Sequence, residues 1–323
     1  MIALCGTLGE FDLIQRLRAI VGEPSEGEVW VGDDAAVLRA PAGTIFFTAD
    51  LLIQGVHFDL ELTGPEDLGY KAIAVNASDV AAMGGTPRRA TVSLGLQPSL
   101  DVEWVERLYV GMKHCCDELG LAVVGGDISR SDCLLISVAL IGNPAGRRVV
   151  MRNGAMVGDA ICVTGVLGRS AMGLRLLRAG IREPEDIIAA HLRPKARVRE
   201  VEILRRFLPA SMIDVSDGLA ADLSHICEAS NVGAVLDAAS IPLAMSNDSG
   251  LDPLEAALHG GEDYELCFTI ASDRAREAAD AVESKTGTRV SIIGEVTEAG
   301  GLFIKRDGSK QVLEPKGWDH LKQ

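Results

Sequence analysis

Aromatic side chains are scarce in this sequence: three Trp, three Tyr and seven Phe make up 4% of 323 residues. Positive charge is also in short supply, with 31 Lys and Arg against 46 Asp and Glu, a formal net charge of −15. So acidic a chain argues against a nucleic-acid partner, whose phosphates need a basic surface. No stretch of about 18 apolar residues or more occurs, so no membrane span is expected. The opening residues lack the basic n-region of a signal peptide and reach Glu10 and Asp12 at once. None of the seven cysteines forms a C-x-x-C pair, which disfavours a zinc site or a disulfide framework. They read as small buried hydrophobes in a reducing cytoplasm. Several nucleotide and metal signatures are missing: H-E-x-x-H, the P-loop G-x-x-x-x-G-K-[ST], the kinase H-R-D and D-F-G pair, and G-x-G-x-x-G after a strand.

Hydrophobic residues, at 47%, and 35 glycines are plentiful. The length suits two domains with ample cores. Residues 10–21 have the spacing of an amphipathic helix, and Pro65 opens a helix through Ala82. Residues 101–119 are helical, with Val105, Leu108, Met112 and Leu119 on one side. Strands are expected at 43–50, 90–97, 121–124 and 133–142. The Gly- and Arg-rich segment 143–159 is the domain junction. Beyond it, strands at "AICVTG", "GAVLDA", "YELCFTI" and "VSIIGEV" mix with helices at 168–180, 195–207, 217–229 and 272–284. The order of elements predicts two α+β domains, residues 1–145 and 146–323, and not one doubly wound sheet.

Aspartates recur at element edges beside Gly, Ser or Thr. Asp33 and Asp34 lie in "GDD", Asp50 in "TAD", Asp79 in "NASDVAAMGG" and Asp127 in "GGDIS". Asp214 and Asp217 follow in "IDVSDG", then Glu262 and Asp263 in "GGEDYEL". Any one of them is explained as a turn residue or helix cap. Taken together they are hard oxygen donors, the kind that Mg²⁺ takes alongside substrate phosphates. Phosphoryl transfer between two anions is the chemistry that most needs such a set.

The motifs "GDDAAVL", "TADLLIQGVHF", "AVNASDVAAMGGTPR", "VGGDIS", "IDVSDGLAADLSHI", "GGEDYELCF" and "KGWDH" occur in that order. From about Glu10 to His320 the chain resembles the thiamine-monophosphate kinases, of the superfamily that includes aminoimidazole ribonucleotide synthetase. The resemblance implies transfer of the γ-phosphoryl group of ATP to thiamine monophosphate, giving thiamine diphosphate and ADP. It also implies several Mg²⁺ ions and a cytoplasmic homodimer whose N-terminal sheets pair into a barrel. By that resemblance Asp33, Thr48, Asp50, Asp79, Asp127, Asp214 and Asp217 are metal-binding, and Asp50, Asp79, Asp127 and Asp214 are the catalytic carboxylates. Tyr109, Gly126, Asp127, Arg152 and Ser216 fall on ATP-binding places, and His57, Glu262 and Trp318 on acceptor-binding ones. Two positions depart from the family pattern: Ala49, where a second Ser or Thr is usual, and Ile128, where Thr is common.

The residues agree with that chemistry. A phosphate monoester, with a second pKa near ~6, is largely dianionic at neutral pH and needs little general-base help. Charge neutralisation and in-line alignment are what it needs. Arg152 suits a phosphate fork, and Trp318 with Glu262 suits a cationic ring. Two other readings remain open: another ATP-dependent synthetase of the superfamily, of the aminoimidazole ribonucleotide or selenophosphate type, and a non-enzymatic divalent-cation-binding protein. Cys5 has no lysine near it, which weakens the selenophosphate reading.

Overall fold

The computed structural model describes residues 16–17, 19–23, 44–145, 149–298 and 300–316. The chain forms two compact units, Met1–Val80 with Thr86–Asn143, and Ala81–Gly85 with Pro144–Gln323. Asp33, Asp34 and Trp318, and most of the helix expected at 10–21, lie outside the described residues; 16–17 and 19–21 are helical.

The first unit carries a four-stranded sheet in the order β1-β4-β2-β3. Its strands are β1 (Phe46–Ile53), β2 (Gly85–Leu96), β3 (Ala122–Arg130) and β4 (Leu135–Pro144). β1 pairs antiparallel with β4, and β2 parallel with β3. Helix α1 (Pro65–Ala82) precedes β2, and α2 (Val102–Leu119) makes the crossover from β2 to β3. Pro65 starts α1, where its missing amide costs nothing, and Glu66 and Asp67 complement the positive end of the helix. Asp101 caps α2 by accepting the Glu103 amide at 3.0 Å, and Gly120 ends it in the left-handed region. Val105, Leu108 and Met112 are buried, as their spacing predicts. The two helices meet backbone to backbone: a Cβ on Gly69 would lie 1.9 Å from the Leu108 carbonyl, and one on Gly111 1.9 Å from that of Glu66.

The second unit holds a seven-stranded sheet in the order β11-β10-β7-β9-β5-β8-β6. The strands are β5 (Asp159–Thr164), β6 (Ser211–Asp214), β7 (Gly233–Asp237), β8 (Leu266–Ala271), β9 (Val290–Thr297), β10 (Gly301–Arg306) and β11 (Ser309–Val312). Only β7 and β10 pair in parallel; the other pairings are antiparallel. Its helices are α3 (Arg169–Arg178), α4 (Glu185–Leu192), α5 (Val198–Leu204), α6 (Leu219–Ser230), α7 (Pro253–His259) and α8 (Ser272–Thr286). Leu219, Leu223 and Ile226 of α6 pack into one core with Ile161, Val163 and Ile213. No helix among the described residues is long and apolar enough to cross a membrane. The six described cysteines are free, and five of them are buried.

Some elements differ from expectation. β3 runs to Arg130, well beyond the apolar tetrapeptide at 121–124, because pairing with β2 holds its exposed second half. The helix expected at 195–207 is shorter, since Arg206 and Phe207 close with i−3 carbonyls in a tightening turn. Helices α4 and α7 and strand β6 are too short to give a periodic signal. Strands β10 and β11 form a hairpin at Asp307-Gly308, both at positive φ.

Candidate functional site

The acidic edge of the first unit comes from two periodicities that meet. Alternation along β1 puts Thr48 and Asp50 on the same face as buried Phe46 and Leu52, while residues 47, 49 and 51 are exposed. On α1, Asn76 and Asp79 lie three residues apart and so share a side of the helix. The Thr48 hydroxyl donates to Asp79 Oδ2 at 2.5 Å. The Asp50 amide donates to Asn76 Oδ1 at 3.2 Å, and Asn76 Nδ2 donates back to the Ala72 carbonyl of its own helix at 3.0 Å. Burial, and then the charge of Asp79, push the Asp50 carboxyl up to about 6. Two carboxylates that repel in a half-buried place, with a hydroxyl beside them, form a hard-oxygen donor set that fits a divalent cation.

Gly126 and Asp127 lie on β3 opposite Val92 and Ser93 of β2. A Cβ at Gly126 would lie 1.8 Å from the Val92 carbonyl, so no side chain is tolerated there. Asp127 is exposed and accepts the Ser129 hydroxyl at 3.1 Å.

In the second unit, Asp214 ends β6 and is buried. The chain leaves the strand through Val215, Ser216, Asp217 and Gly218 and enters α6. One carboxylate oxygen of Asp222, in the first turn of α6, accepts the amides of both Ser216 and Asp217 at 3.0 Å. Asp222 itself is buried. Burial is the main cause that raises its carboxyl to about 8; the charges of Asp214 and Asp217 add to it and the two amides oppose it. Sequence reasoning missed Asp222; the available signal was a lone carboxylate on the buried side of an apolar helix.

Beside this loop runs the segment 260–265. The Glu262 amide donates to the Ser216 carbonyl and the Tyr264 amide to the Val215 carbonyl, each at 2.8 Å, which prolongs the β6–β8 ladder. Glu262 and Tyr264 hold positive φ values of 66° and 52°, strained for residues with a side chain. Between them, buried Asp263 accepts the Gly168 amide at 2.6 Å and the Ser170 amide at 3.0 Å, at the start of α3. Burial is the largest influence on Asp263 and lifts its carboxyl to about 7 against those two amides. Glu265 pairs with Arg197, whose Nε is 2.6 Å from Oε2, and accepts the Thr164 hydroxyl at 2.6 Å. Arg197 and Glu265 were not singled out as site residues either, because their roles depend on partners 68 and 101 residues away; Asp263, counted among the edge carboxylates, is turned instead onto backbone amides 93 and 95 residues away.

The other residues flagged from sequence are scattered. His57 Nδ1 accepts the Ile53 amide at 3.0 Å, which closes the turn after β1 and puts the ring proton on Nε2. Tyr109 is buried in α2, and burial drives its hydroxyl pKa upward. Arg152 is exposed, and its carbonyl accepts the Ser230 hydroxyl at 3.3 Å. Among the described residues no group of three or more His, Cys, Asp or Glu stands together as a metal site.

Two mixed α/β units, with acids at the strand ends and no P-loop, define the class. Residues 32–143 match the family described as AIR synthase related protein, N-terminal domain, and residues 156–307 match its C-terminal domain. Among curated relatives, the thiamine-monophosphate kinase of Aquifex aeolicus (strain VF5) is 41% identical over 325 residues, 97% of this chain and 98% of that one. A crystal structure of thiamine-monophosphate kinase from Stenotrophomonas maltophilia K279a superposes with a TM-score of 0.81 at 36% identity, covering 93% of this chain and 98% of the other. The structure of AaThiL complexed with AMPPCP and TMP superposes with a TM-score of 0.77 at 39% identity, covering 97% of each chain. The chain belongs to the thiamine-monophosphate kinase family, within the AIR synthase related fold.

Proposed function

We propose that this chain transfers the γ-phosphoryl group of ATP to the phosphate of thiamine monophosphate, using Mg²⁺ held by its edge carboxylates. The observation that carries the reading is the Asp50–Asp79 pair, with the Thr48 hydroxyl donating into it and Asp50 raised by burial and by its neighbour. Asp33, Thr48, Asp50, Asp79, Asp127, Asp214 and Asp217 are the proposed ligands. When bound, Mg²⁺ neutralises the phosphates and lowers the repulsion between donor and acceptor.

The acceptor's terminal phosphate oxygen attacks the γ-phosphorus as the bond from that phosphorus to the β,γ-bridging oxygen breaks and ADP departs. A dianionic acceptor brings no proton to remove, which agrees with a site built of carboxylates and not around a His or Cys base. Gly126, Asp127, Arg152, Ser216 and Tyr109 are assigned to ATP. In that role the Arg152 guanidinium supplies a fork for phosphate. His57, Glu262 and Trp318 are assigned to the acceptor, where a carboxylate and an indole face complement the cationic thiazolium.

Residues 1–145 then bind metal and ATP and form a homodimer, and residues 146–323 supply the remaining contacts. Ile45, Phe47 and Leu51, exposed around β1, support pairing of the N-terminal sheets. The proposed location is the cytoplasm, with no nucleic-acid or membrane partner. The deciding experiment measures ADP release and thiamine diphosphate formation by the full chain with ATP and Mg²⁺. Production of both supports the reading. Turnover with an amidine-forming acceptor and none with thiamine monophosphate overturns it. Mg²⁺ binding that ignores an unhydrolysable ATP analogue, without turnover, favours a cation-binding protein.

A further inference from the structure

Glu262 is braced from a side that its sequence neighbourhood does not reveal. Nδ1 of His191, on α4, lies 3.0 Å from the Ser170 hydroxyl and 3.4 Å from Glu262 Oε2. His191 is 5% exposed and Ser170 1%, so the arrangement is held in packed interior. Ser170 also gives its amide to Asp263, the neighbour of Glu262. The two contacts together clamp a strained turn against the start of α3, once through the backbone and once through a side chain.

The tautomer is assigned from an ionised Glu262: a carboxylate only accepts hydrogen bonds, so the contact is attractive with the proton on Nδ1, and in that tautomer the Ser170 hydroxyl accepts from the same N–H.

We propose that His191 is a positioning residue for acceptor recognition: its Nδ1, braced by Ser170, aims the Glu262 carboxylate at the cationic ring of the acceptor. The inference rests on the assignment of Glu262 to the acceptor.

Two near-isosteric substitutions separate aiming from packing. His191→Asn puts a side-chain amide near the place of Nδ1, whereas His191→Gln puts one near Nε2. With the full chain, His191→Gln is expected to raise the KM for thiamine monophosphate about tenfold, the scale of one hydrogen bond to a charged group. His191→Asn keeps most of the wild-type value, and the KM for ATP stays put in both. Glu262→Gln raises the acceptor KM alone, and adding His191→Gln to it changes little more. Equal acceptor KM values for the Asn and Gln variants, or full additivity with Glu262→Gln, overturn the inference while leaving the assignment of Glu262 intact. An unmoved acceptor KM in Glu262→Gln removes that assignment, and the inference falls with it. If thermal unfolding shows that both His191 variants are unfolded, Ser170→Ala, which removes the brace at little change in volume, carries the same expectation. A wild-type acceptor KM in folded Ser170→Ala overturns the inference.

Discussion

The Thr48 hydroxyl donates to the Asp79 carboxylate at 2.5 Å, which ties strand β1 to helix α1 at the acidic edge of the first unit. Asp50 lies two residues along the same face, and its carboxyl is raised to about 6 by burial and by Asp79. Burial and the neighbouring Asp79 both disfavour its ionised form.

Asp50→Asn, Asp79→Asn and Asp127→Asn are each expected to lower turnover by about a hundredfold or more, the scale of removing a group that stabilises transferring charge. Stability should be unchanged or, for Asp50→Asn, higher, because the substitution relieves both repulsion and burial of charge. Rates measured across a Mg²⁺ titration, beside thermal unfolding, check this; near-normal rates at limiting Mg²⁺ refute the ligand assignment.

Asp222→Ala leaves the buried side of the 215–218 loop without the acceptor of two amides. It should destabilise the protein by about 1–3 kcal/mol, whereas Asp222→Asn keeps a carbonyl oxygen there and costs less. Urea unfolding of the two variants gives the comparison, and equal losses would count against the loop-holding role.

Asp263 gives a pH signature. Its carboxyl is raised from 3.8 to about 7 in the folded chain, so the folded state keeps a proton that the unfolded state has released. Its contribution to stability is full below 3.8 and is lost as pH rises through about 7. Across that window stability should fall with rising pH by at most about 1.4 kcal/mol per unit from this group. Denaturant unfolding at several pH values should show a flatter dependence in Asp263→Asn; an unchanged slope removes Asp263 as its source.

Arg197→Met strands the Glu265 carboxylate, which accepts hydrogen bonds from Arg197 and Thr164 in buried surroundings. The expected loss is about 3–5 kcal/mol, because one partner of a buried pair is left uncompensated. Adding Glu265→Gln should recover part of it. A double-mutant cycle by chemical denaturation checks the coupling, and simple additivity would show that the pair is not one unit.

Trp318→Ala tests a residue outside the described part of the chain. As an acceptor contact it should raise the KM for thiamine monophosphate by the equivalent of roughly 1–2 kcal/mol, with little change in the KM for ATP. If both constants rise together, or the variant unfolds, Trp318 is a packing residue.

Much was legible without coordinates. The expected helices at Pro65 to Ala82 and at 101–119 agree with α1 and α2 to within a residue, because a proline start and apolar periodicity are local chemistry. The second half of β3 was not legible, since pairing with a distant strand makes it a strand and nothing in "GGDISR" does.

The sequence by itself determined the class of chemistry: hard oxygen donors at element edges and an ordered set of motifs shared with one kinase family. Only the tertiary structure decided which acids act together. Asp79 meets Thr48 across 31 residues, Asp263 meets α3 across more than 90, and His191 reaches Glu262 from helix α4. Asp222 is five residues from Asp217, yet it became visible only when its carboxylate was seen to turn back onto that amide. Propensity and capping act over a few residues and can be read along the chain. Burial, which raises Asp50 and Asp263, and the pairing of distant donors and acceptors exist only once the chain has packed.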